Sequence, residues 1–232
     1  MHIVTGVSRG LGEAIAKALL DSNHTVLGIG RSHSIDHPSF SFVTCDLADN
    51  DALENLDLNI NSEEPITLIN NAGIIGEIKR LSDQDSSDLT QVLQVNTVAP
   101  MLLAKKVYQQ ISNKDNFTLV NISSGAANRA IPSWAGYCAS KAALNMLSEA
   151  FYLEETEKGN HPKVYAVAPG VIDTDMQVQI RTAGAENFSA IDNFIAMKEN
   201  NELYSAAEGA ARLLKLLDQP FSGTVSSDLR TV

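Results

Sequence analysis

Six short runs of apolar and β-branched residues set the strongest constraint on how this chain can fold. They cover residues 3–5, 25–29, 40–44, 66–69, 117–122 and 164–168. Each run is continuously apolar rather than alternating, which is typical of parallel strands buried on both faces. Amphipathic stretches between and after them predict helices at 10–21, 86–112, 135–158 and 206–218. We therefore expect an α/β fold with a doubly wound, mostly parallel sheet of about seven strands and helices on both faces.

The length and composition favour a single domain spanning residues 1–232. A chain of 232 residues, 44% of them hydrophobic, can bury a large core without a metal or disulfide. No apolar run approaches the ~20 residues that cross a bilayer, and the first residues lack the pattern of a signal peptide. We therefore expect a cytoplasmic protein whose two cysteines are reduced. Its net charge of -11 argues against nucleic-acid or membrane partners.

One segment departs from this alternation of strands and helices. Residues 174–204 form a long insertion between the sixth strand and the last helix, with apolar residues scattered among polar ones. A loop of this length inside a compact domain usually covers a binding site and contains short helices of its own. We therefore predict a substrate lid over residues 174–204.

A glycine-rich turn joins the first strand to the first helix. Residues 5–12 read T-G-V-S-R-G-L-G. Glycines in such a turn permit positive φ and let main-chain N–H groups approach a pyrophosphate at the positive end of the helix dipole. The spacing differs from the common G-x-G-x-x-G fingerprint. The strand–turn–helix context nevertheless favours a nucleotide site over a merely tight connection.

The same residues also spell G-x-S-x-G, the nucleophile elbow of α/β-hydrolases. That elbow lies deep in its sheet, whereas only one strand precedes this turn. The hydrolase triad also needs a later histidine, and the only one after residue 37 is His161, in a polar turn that we expect to be exposed. The hydrolase interpretation is therefore the least favoured.

The end of the second strand bears on which dinucleotide would bind. A free 2′-hydroxyl usually meets an acidic residue about 20 residues beyond the glycines, whereas a 2′-phosphate calls for arginine. The strand ends in Arg31 and Ser32 without a carboxylate, and Arg9 lies in the glycine turn. Two guanidinium groups and a hydroxyl suit a phosphate. We therefore predict NADP(H), against the alternative that Arg31 is an ordinary surface charge.

A serine, a tyrosine and a lysine follow the fifth strand. Ser123 and Ser124 close that strand, and Tyr137 and Lys141 are four residues apart on one face of a predicted helix. A phenol with the ordinary pKa of about 10 exchanges protons poorly at neutral pH. We expect the Lys141 ammonium to lower that pKa and make Tyr137 a general acid/base, with Ser124 orienting a carbonyl oxygen. A Y-x-x-x-K pair alone is weak, so its value comes from its combination with the other segments.

These segments together resemble the short-chain dehydrogenase/reductase family, in the family's order and over essentially the whole chain. The resemblance rests on residues 5–12, 46–47, 70–73, 96, 124, 137, 141, 169–170 and 174. It implies a Rossmann-type fold with Tyr137 as the acid/base, Ser124 orienting the substrate, and Lys141 binding the nicotinamide ribose. It also implies that Asn96 holds a water in a proton relay.

The resemblance further implies where each part of the cofactor lies. Asp46 would face the adenine, residues 71–73 the adenosine ribose, and Pro169, Gly170 and Thr174 the nicotinamide. No metal site is implied. The implied cofactor-binding residues are Gly6, Ser8, Arg9, Gly10, Leu11, Gly12, Arg31, Ser32, Asp46, Leu47, Asn71, Ala72, Gly73, Tyr137, Lys141, Pro169, Gly170, Val171, Ile172, Thr174 and Met176.

Within the family, the chain looks most like the sepiapterin reductase-like branch that includes bacterial benzil reductases. The similar segments are residues 133–137 and 167–177, with parts of the lid. This implies NADPH-dependent reduction of a ketone or aldehyde, a 1,2-diketone or a sepiapterin-like compound, contacted by Ser124, Trp134 and Tyr137. The alternative is a non-catalytic NADPH-binding sensor or scaffold, which would have no chemical need for the serine, tyrosine and lysine.

The chain departs from the family pattern at one place, and the resemblance implies one further expectation about assembly. The connection between Arg31 and Phe40 is too short for a full helix. Helices 86–112 and 135–158 are expected to form the face of a homodimer, with a tetramer left open. The apolar residues offered for that face are Met101, Leu102, Leu144, Leu147 and Phe151.

Overall fold

Seven parallel strands form the centre of the computed structural model, which describes residues 1–232. They are β1 (His2–Thr5), β2 (Val26–Gly30), β3 (Phe40–Thr44), β4 (Ile66–Asn70), β5 (Phe117–Ile122), β6 (Lys163–Ala168) and β7 (Ser226–Asp228). Their order in the sheet is β3-β2-β1-β4-β5-β6-β7. The chain starts in the middle, runs outward to β3 and then crosses to β4 on the other side of β1. Ligands bind at such a switch point, outside the carboxyl ends of the strands.

Helices cover both faces of the sheet. They are α1 (Gly10–Asp21), α2 (Asn50–Glu54), α3 (Ser86–Leu93), α4 (Ala99–Gln110), α5 (Ala135–Glu157), α6 (Asp175–Arg181), α7 (Ile191–Glu199) and α8 (Ala206–Leu217). Adjacent residues of one strand enter opposite cores: Leu119 packs with α4, whereas Val120 packs with α1 and α8. Because both faces of the sheet are buried, the strands read as continuously apolar. The predicted doubly wound fold is confirmed.

The predicted helical stretch 86–112 is found as continuous helix from Ser86 to Gln110, but it is not one regular α-helix. A π-helical segment at Gln94–Val98 separates α3 from α4. Pro100, which has no N–H to donate, sits in the first turn of α4, where a proline is tolerated. Wide turns of this kind are frequent at functional sites, and this one contains the fully buried Asn96.

The other predicted strands and helices are found, with their ends shifted by one residue at most. The 174–204 segment contains two short helices, α6 and α7, and no helix connects β2 to β3. His161 is exposed. Within the expected dimer face, Leu144 is buried at 1% exposure and cannot contribute to a surface, whereas Met101 on α4 is 42% exposed.

Candidate active site

The glycine turn is held in place by hydrogen bonds from the end of β4. The main-chain N–H groups of Asn71 and Ala72 both donate to the Thr5 hydroxyl at 3.0 Å, and the Asn71 amide donates to the Thr5 carbonyl at 3.0 Å. The turn itself needs glycine at Gly6 and Gly10, whose φ angles are +73° and +60°. The ends of β1 and β4 are therefore tied together at the switch point of the sheet.

A cavity of about 1100 Å³ opens beside this turn. Of the predicted catalytic, cofactor-binding and substrate-binding residues, only Gly12 and Asn96 do not line it. Those that do are Gly6, Ser8, Arg9, Gly10, Leu11, Arg31, Ser32, Asp46, Leu47, Asn71, Ala72, Gly73, Ser124, Trp134, Tyr137, Lys141, Pro169, Gly170, Val171, Ile172, Thr174 and Met176. One continuous cavity thus brings together the glycine turn, the end of β2, the serine–tyrosine–lysine set and the lid.

Gly12 has a structural role beneath the turn. A Cβ atom at this position would lie 2.3 Å from both the Asn71 side-chain nitrogen and the Gly6 carbonyl oxygen. Only glycine lets the first turn of α1 approach the turn that it supports.

The two arginines at the β1–β2 end of the cavity differ in their contacts. Arg31 is exposed, while the Arg9 guanidinium pairs with the Asp175 carboxylate at 2.9 Å. That ion pair joins the glycine turn to the first residue of α6. Asp175 is not among the predicted site residues, because nothing in the sequence indicates that residues 9 and 175 meet. Both side chains are largely exposed, so the pair contributes little to stability.

The serine, tyrosine and lysine converge where β5 ends and α5 begins. The Lys141 ammonium lies 5.8 Å from the centre of the Tyr137 ring and donates to the Ile122 carbonyl at 2.8 Å. Ser124 is the second residue after β5, and its hydroxyl accepts a hydrogen bond from the Ala126 N–H at 3.1 Å. The hydroxyl of the neighbouring Ser123 is instead bonded to Asn145. Ser124 is therefore the serine left facing the tyrosine.

The expected effect of Lys141 on Tyr137 is not found. Burial raises the pKa of the Tyr137 phenol above its usual value, and the interaction with the Ser124 hydroxyl offsets only part of that rise. Burial also lowers the pKa of Lys141 to about 8. Both charged forms are disfavoured by the loss of water. The phenol is therefore held in its protonated form at neutral pH.

The Asn96 side chain is engaged with the protein rather than with the cavity. Its oxygen accepts from the Ile74 N–H at 2.8 Å, and its nitrogen donates to the Ile74 carbonyl at 2.8 Å and the Ser140 hydroxyl at 3.0 Å. These bonds fasten the segment after β4 to α5. A relay water at this residue would therefore not be held by the side-chain amide.

The lid contributes an aromatic cluster over the reacting end of the cavity. Trp134 stacks on Phe188 with ring centroids 5.3 Å apart and meets Tyr137 edge-on at 5.7 Å. Phe194 on α7 packs against the same indole at 5.3 Å. The Trp134 indole therefore forms a wall shared by the lid and the tyrosine.

The structure shows neither a metal-binding cluster nor a membrane-spanning helix. The chain has no group of three or more histidine, cysteine or acidic side chains placed to hold a metal ion. None of its helices combines the length and the apolar character that a membrane crossing requires. Both cysteines are free thiols.

Comparisons with known proteins agree with this arrangement. A family model described as short chain dehydrogenase matches residues 1–185. A benzil reductase ((S)-benzoin forming) from Bacillus cereus is 35% identical over 93% of each chain, and a sepiapterin reductase from Xenopus tropicalis is 27% identical over 93% of this chain and 90% of its own. The crystal structure of a short-chain dehydrogenase/reductase from Saccharomyces cerevisiae superimposes with a TM-score of 0.81 at 29% identity, covering 98% of this chain and 95% of that one. This chain therefore belongs to the short-chain dehydrogenase family, whose members are oxidoreductases that use a nicotinamide cofactor.

Proposed function

We propose that this protein is an NADPH-dependent carbonyl reductase that acts on an uncharged ketone or aldehyde, with 1,2-diketones of the benzil type or sepiapterin-like compounds as its substrate class. The observation that carries the proposal is the convergence of Ser124, Tyr137 and Lys141 in the cavity that also contains the glycine turn. A binding protein without catalysis would not require a buried phenol and a buried ammonium at one point.

Tyr137 is the proton donor in this proposal. Reduction of a carbonyl adds a hydride to carbon and a proton to oxygen, and the nicotinamide cofactor supplies the hydride when bound. The raised pKa of Tyr137 keeps its phenol protonated at neutral pH, which is the form that donation requires. Ser124 holds the carbonyl oxygen towards the phenol by donating a second hydrogen bond.

Lys141 acts by binding and orientation. One of its three N–H groups is used by the Ile122 carbonyl at 2.8 Å, which leaves two for the ribose hydroxyls of the cofactor. Since its pKa is about 8, Lys141 is mainly protonated at neutral pH and can also stabilise negative charge that develops on the Tyr137 oxygen.

The choice of NADPH rests on the β1–β2 end of the cavity. Arg9, Arg31 and Ser32 line this end, and β2 ends without a carboxylate that could bind a free 2′-hydroxyl. The main chain at Gly30 is open, because a Cβ atom placed there would meet nothing closer than 3.9 Å. These residues fit a 2′-phosphate, which arginine binds with paired, charge-assisted hydrogen bonds.

The substrate class rests on the opposite end of the cavity. Ile131, Trp134, Met176 and Phe194 line it with apolar and aromatic surface. Relatives that are 35% and 27% identical reduce, by their names, benzil and sepiapterin. An uncharged aromatic or conjugated carbonyl compound suits such walls.

We extend the proposal to assembly and location. Met101 on α4 and Met146 and Leu153 on α5 are exposed, at 42%, 65% and 59%, and would be covered in a homodimer through these two helices. The two free thiols suit the reducing cytoplasm.

The experiment that tests the proposed function compares two tyrosines of α5. Tyr137→Phe removes the proton donor and is expected to lower kcat for a diketone by about 100- to 10,000-fold, with NADPH affinity changed by less than about threefold. Tyr152→Phe is the matched control, since Tyr152 packs on Phe221 away from the cavity and its loss leaves kcat unchanged. NADPH oxidation followed by absorbance gives kcat, and calorimetry gives NADPH affinity. Equal activity of the two variants would refute the proposal.

A further inference from the structure

A carboxylate of the lid occupies one of the two arginines proposed to bind the 2′-phosphate of NADPH. Asp175, the first residue of α6, places its Oδ2 atom 2.9 Å from Nη1 of Arg9. Both residues line the cavity that also contains Arg31. Arg31 is exposed and forms no ion pair. A phosphate therefore finds Arg31 without a bound carboxylate, whereas Arg9 already has one.

The packing of the lid on the glycine turn places this carboxylate. A Cβ atom at Gly10 would lie 3.2 Å from the Thr174 γ-methyl group, so the first residues of the lid contact the turn directly. Asp175 is the next residue, and no cation other than Arg9 lies within 4.0 Å of its carboxylate. Because Thr174 is already in contact with the turn, the short side chain of Asp175 is held within reach of Arg9.

We infer that Asp175 competes with the 2′-phosphate for Arg9 and thereby limits the preference of this protein for NADPH over NADH. The inference rests on the cofactor choice of the proposed function and adds a residue that opposes it. A guanidinium binds phosphate most strongly through paired, charge-assisted hydrogen bonds, and a carboxylate that shares its donors and its charge weakens them. NADH has no 2′-phosphate, so this competition lowers the affinity for NADPH alone. Asp175 is thus a specificity-determining residue for the cofactor.

The size of the effect follows from the exposure of the pair. The side chains of Arg9 and Asp175 are 73% and 68% exposed, and ion pairs this exposed favour the paired state only about 1.4- to 5-fold. Arg9 is then free in about 15–40% of the molecules, and the apparent affinity of a ligand falls by the fraction in which its binding group is free. Asp175 therefore lowers the affinity for NADPH about 2- to 6-fold.

The test is a double-mutant cycle of Arg9→Ala and Asp175→Asn, with calorimetry giving the affinities for NADPH and NADH. Asp175→Asn nearly keeps the shape of the side chain and removes its charge, and it is expected to raise the ratio of NADPH to NADH affinity about 2- to 6-fold. In the Arg9→Ala background the same substitution is expected to leave the ratio unchanged, because the group for which the two anions compete is gone. Asp192→Asn is the matched control, since it removes an exposed carboxylate of lid helix α7 outside the cavity.

Three results would overturn the inference. The first is an unchanged or lower ratio in Asp175→Asn; a loss of both affinities together with a lower melting temperature would mean that Asp175 only holds α6 in place. The second is a ratio that rises equally with and without Arg9, which would mean that Asp175 repels the phosphate directly. The third is an unchanged ratio in Arg9→Ala alone, which would show that Arg9 does not bind the 2′-phosphate.

Turnover separates this inference from the proposed activity. Both affinities are measured without a ketone, so they do not depend on catalysis. If the cycle gives the expected ratios but the wild-type protein reduces no diketone, the proposed reductase activity fails and the inference stands. If the protein reduces a diketone and needs Tyr137 for it, but the ratio does not respond to Asp175→Asn, the inference fails and the proposed activity stands.

Discussion

Replacing Lys141 by methionine isolates the cost of burying its ammonium group. Lys141 is 4% exposed, and burial lowers its pKa from 10.5 to about 8. At pH 7 this shift corresponds to a cost of about 3 kcal/mol. The hydrogen bond that the ammonium donates to the Ile122 carbonyl is already part of this net cost, because it favours the charged form whose pKa is lowered. Lys141→Met is therefore expected to leave stability at pH 7 unchanged or to raise it by up to about 3 kcal/mol.

The pH dependence of that comparison gives a sharper signature. Between pH 8 and 10.5 the unfolded chain binds the Lys141 proton more strongly than the folded chain, so wild-type stability rises with pH in this window. Below about pH 8 the full cost of burial is present. The variant lacks this titration. The stability of the wild type relative to the variant is therefore expected to rise by about 2 kcal/mol from pH 7 to pH 9.5, or about 4–8 °C in Tm.

Urea unfolding of both proteins at pH 7 and pH 9.5, without cofactor, measures this change. Lys105→Met serves as the control, because it removes an exposed lysine of α4 and leaves the buried one in place. A difference between wild type and Lys141→Met that stays constant over the two pH values, or falls, would show that Lys141 is not desolvated in the folded protein.

Two further substitutions test the cofactor side of the cavity. Arg31→Ala is expected to weaken NADPH binding about 10- to 100-fold through the loss of charge-assisted hydrogen bonds, and to weaken NADH binding less than twofold. Calorimetry measures both affinities, with the exposed Arg80→Ala as the control. An equal loss of affinity for the two cofactors would refute the contact between Arg31 and the 2′-phosphate. Gly12→Ala is expected to destabilise the protein by about 1–3 kcal/mol or more, because its Cβ would overlap the Gly6 carbonyl and the Asn71 amide. Thermal unfolding checks this against Gly125→Ala, where a Cβ meets nothing within 4 Å.

The sequence sufficed for the strands and helices that carry an apolar pattern. Strand β7 has none: Ser226–Asp228 is short and polar and exists through its pairing with Ala166–Ala168 of β6. The π-helical turn at Gln94–Val98 was likewise not predictable, because the surrounding residues keep a helical pattern on both sides. Local pattern predicts an element only where the pattern, rather than a tertiary contact, stabilises it.

The candidate site likewise has one part that the sequence predicts and another that depends on the assembled fold. Motif spacing predicted most of the residues that line the cavity, because these residues lie just after strands or in the first turns of helices. The pairing of Arg9 with Asp175 joins residues that are far apart in sequence and depends on how α6 docks. The direction of the Tyr137 pKa shift is set by burial, which outweighs the hydrogen bond with Ser124, and burial is a property of the assembled fold.

The central claim is that this cavity transfers hydride to a ketone while Tyr137 protonates the oxygen. The most direct measurement incubates the protein with benzil and NADPH deuterated at the transferable position and determines the mass of the product. The account predicts a hydroxyketone that carries one deuterium on its carbinol carbon, formed by the wild type and not by Tyr137→Phe. Absence of product with the wild type, or a product without deuterium, would contradict it.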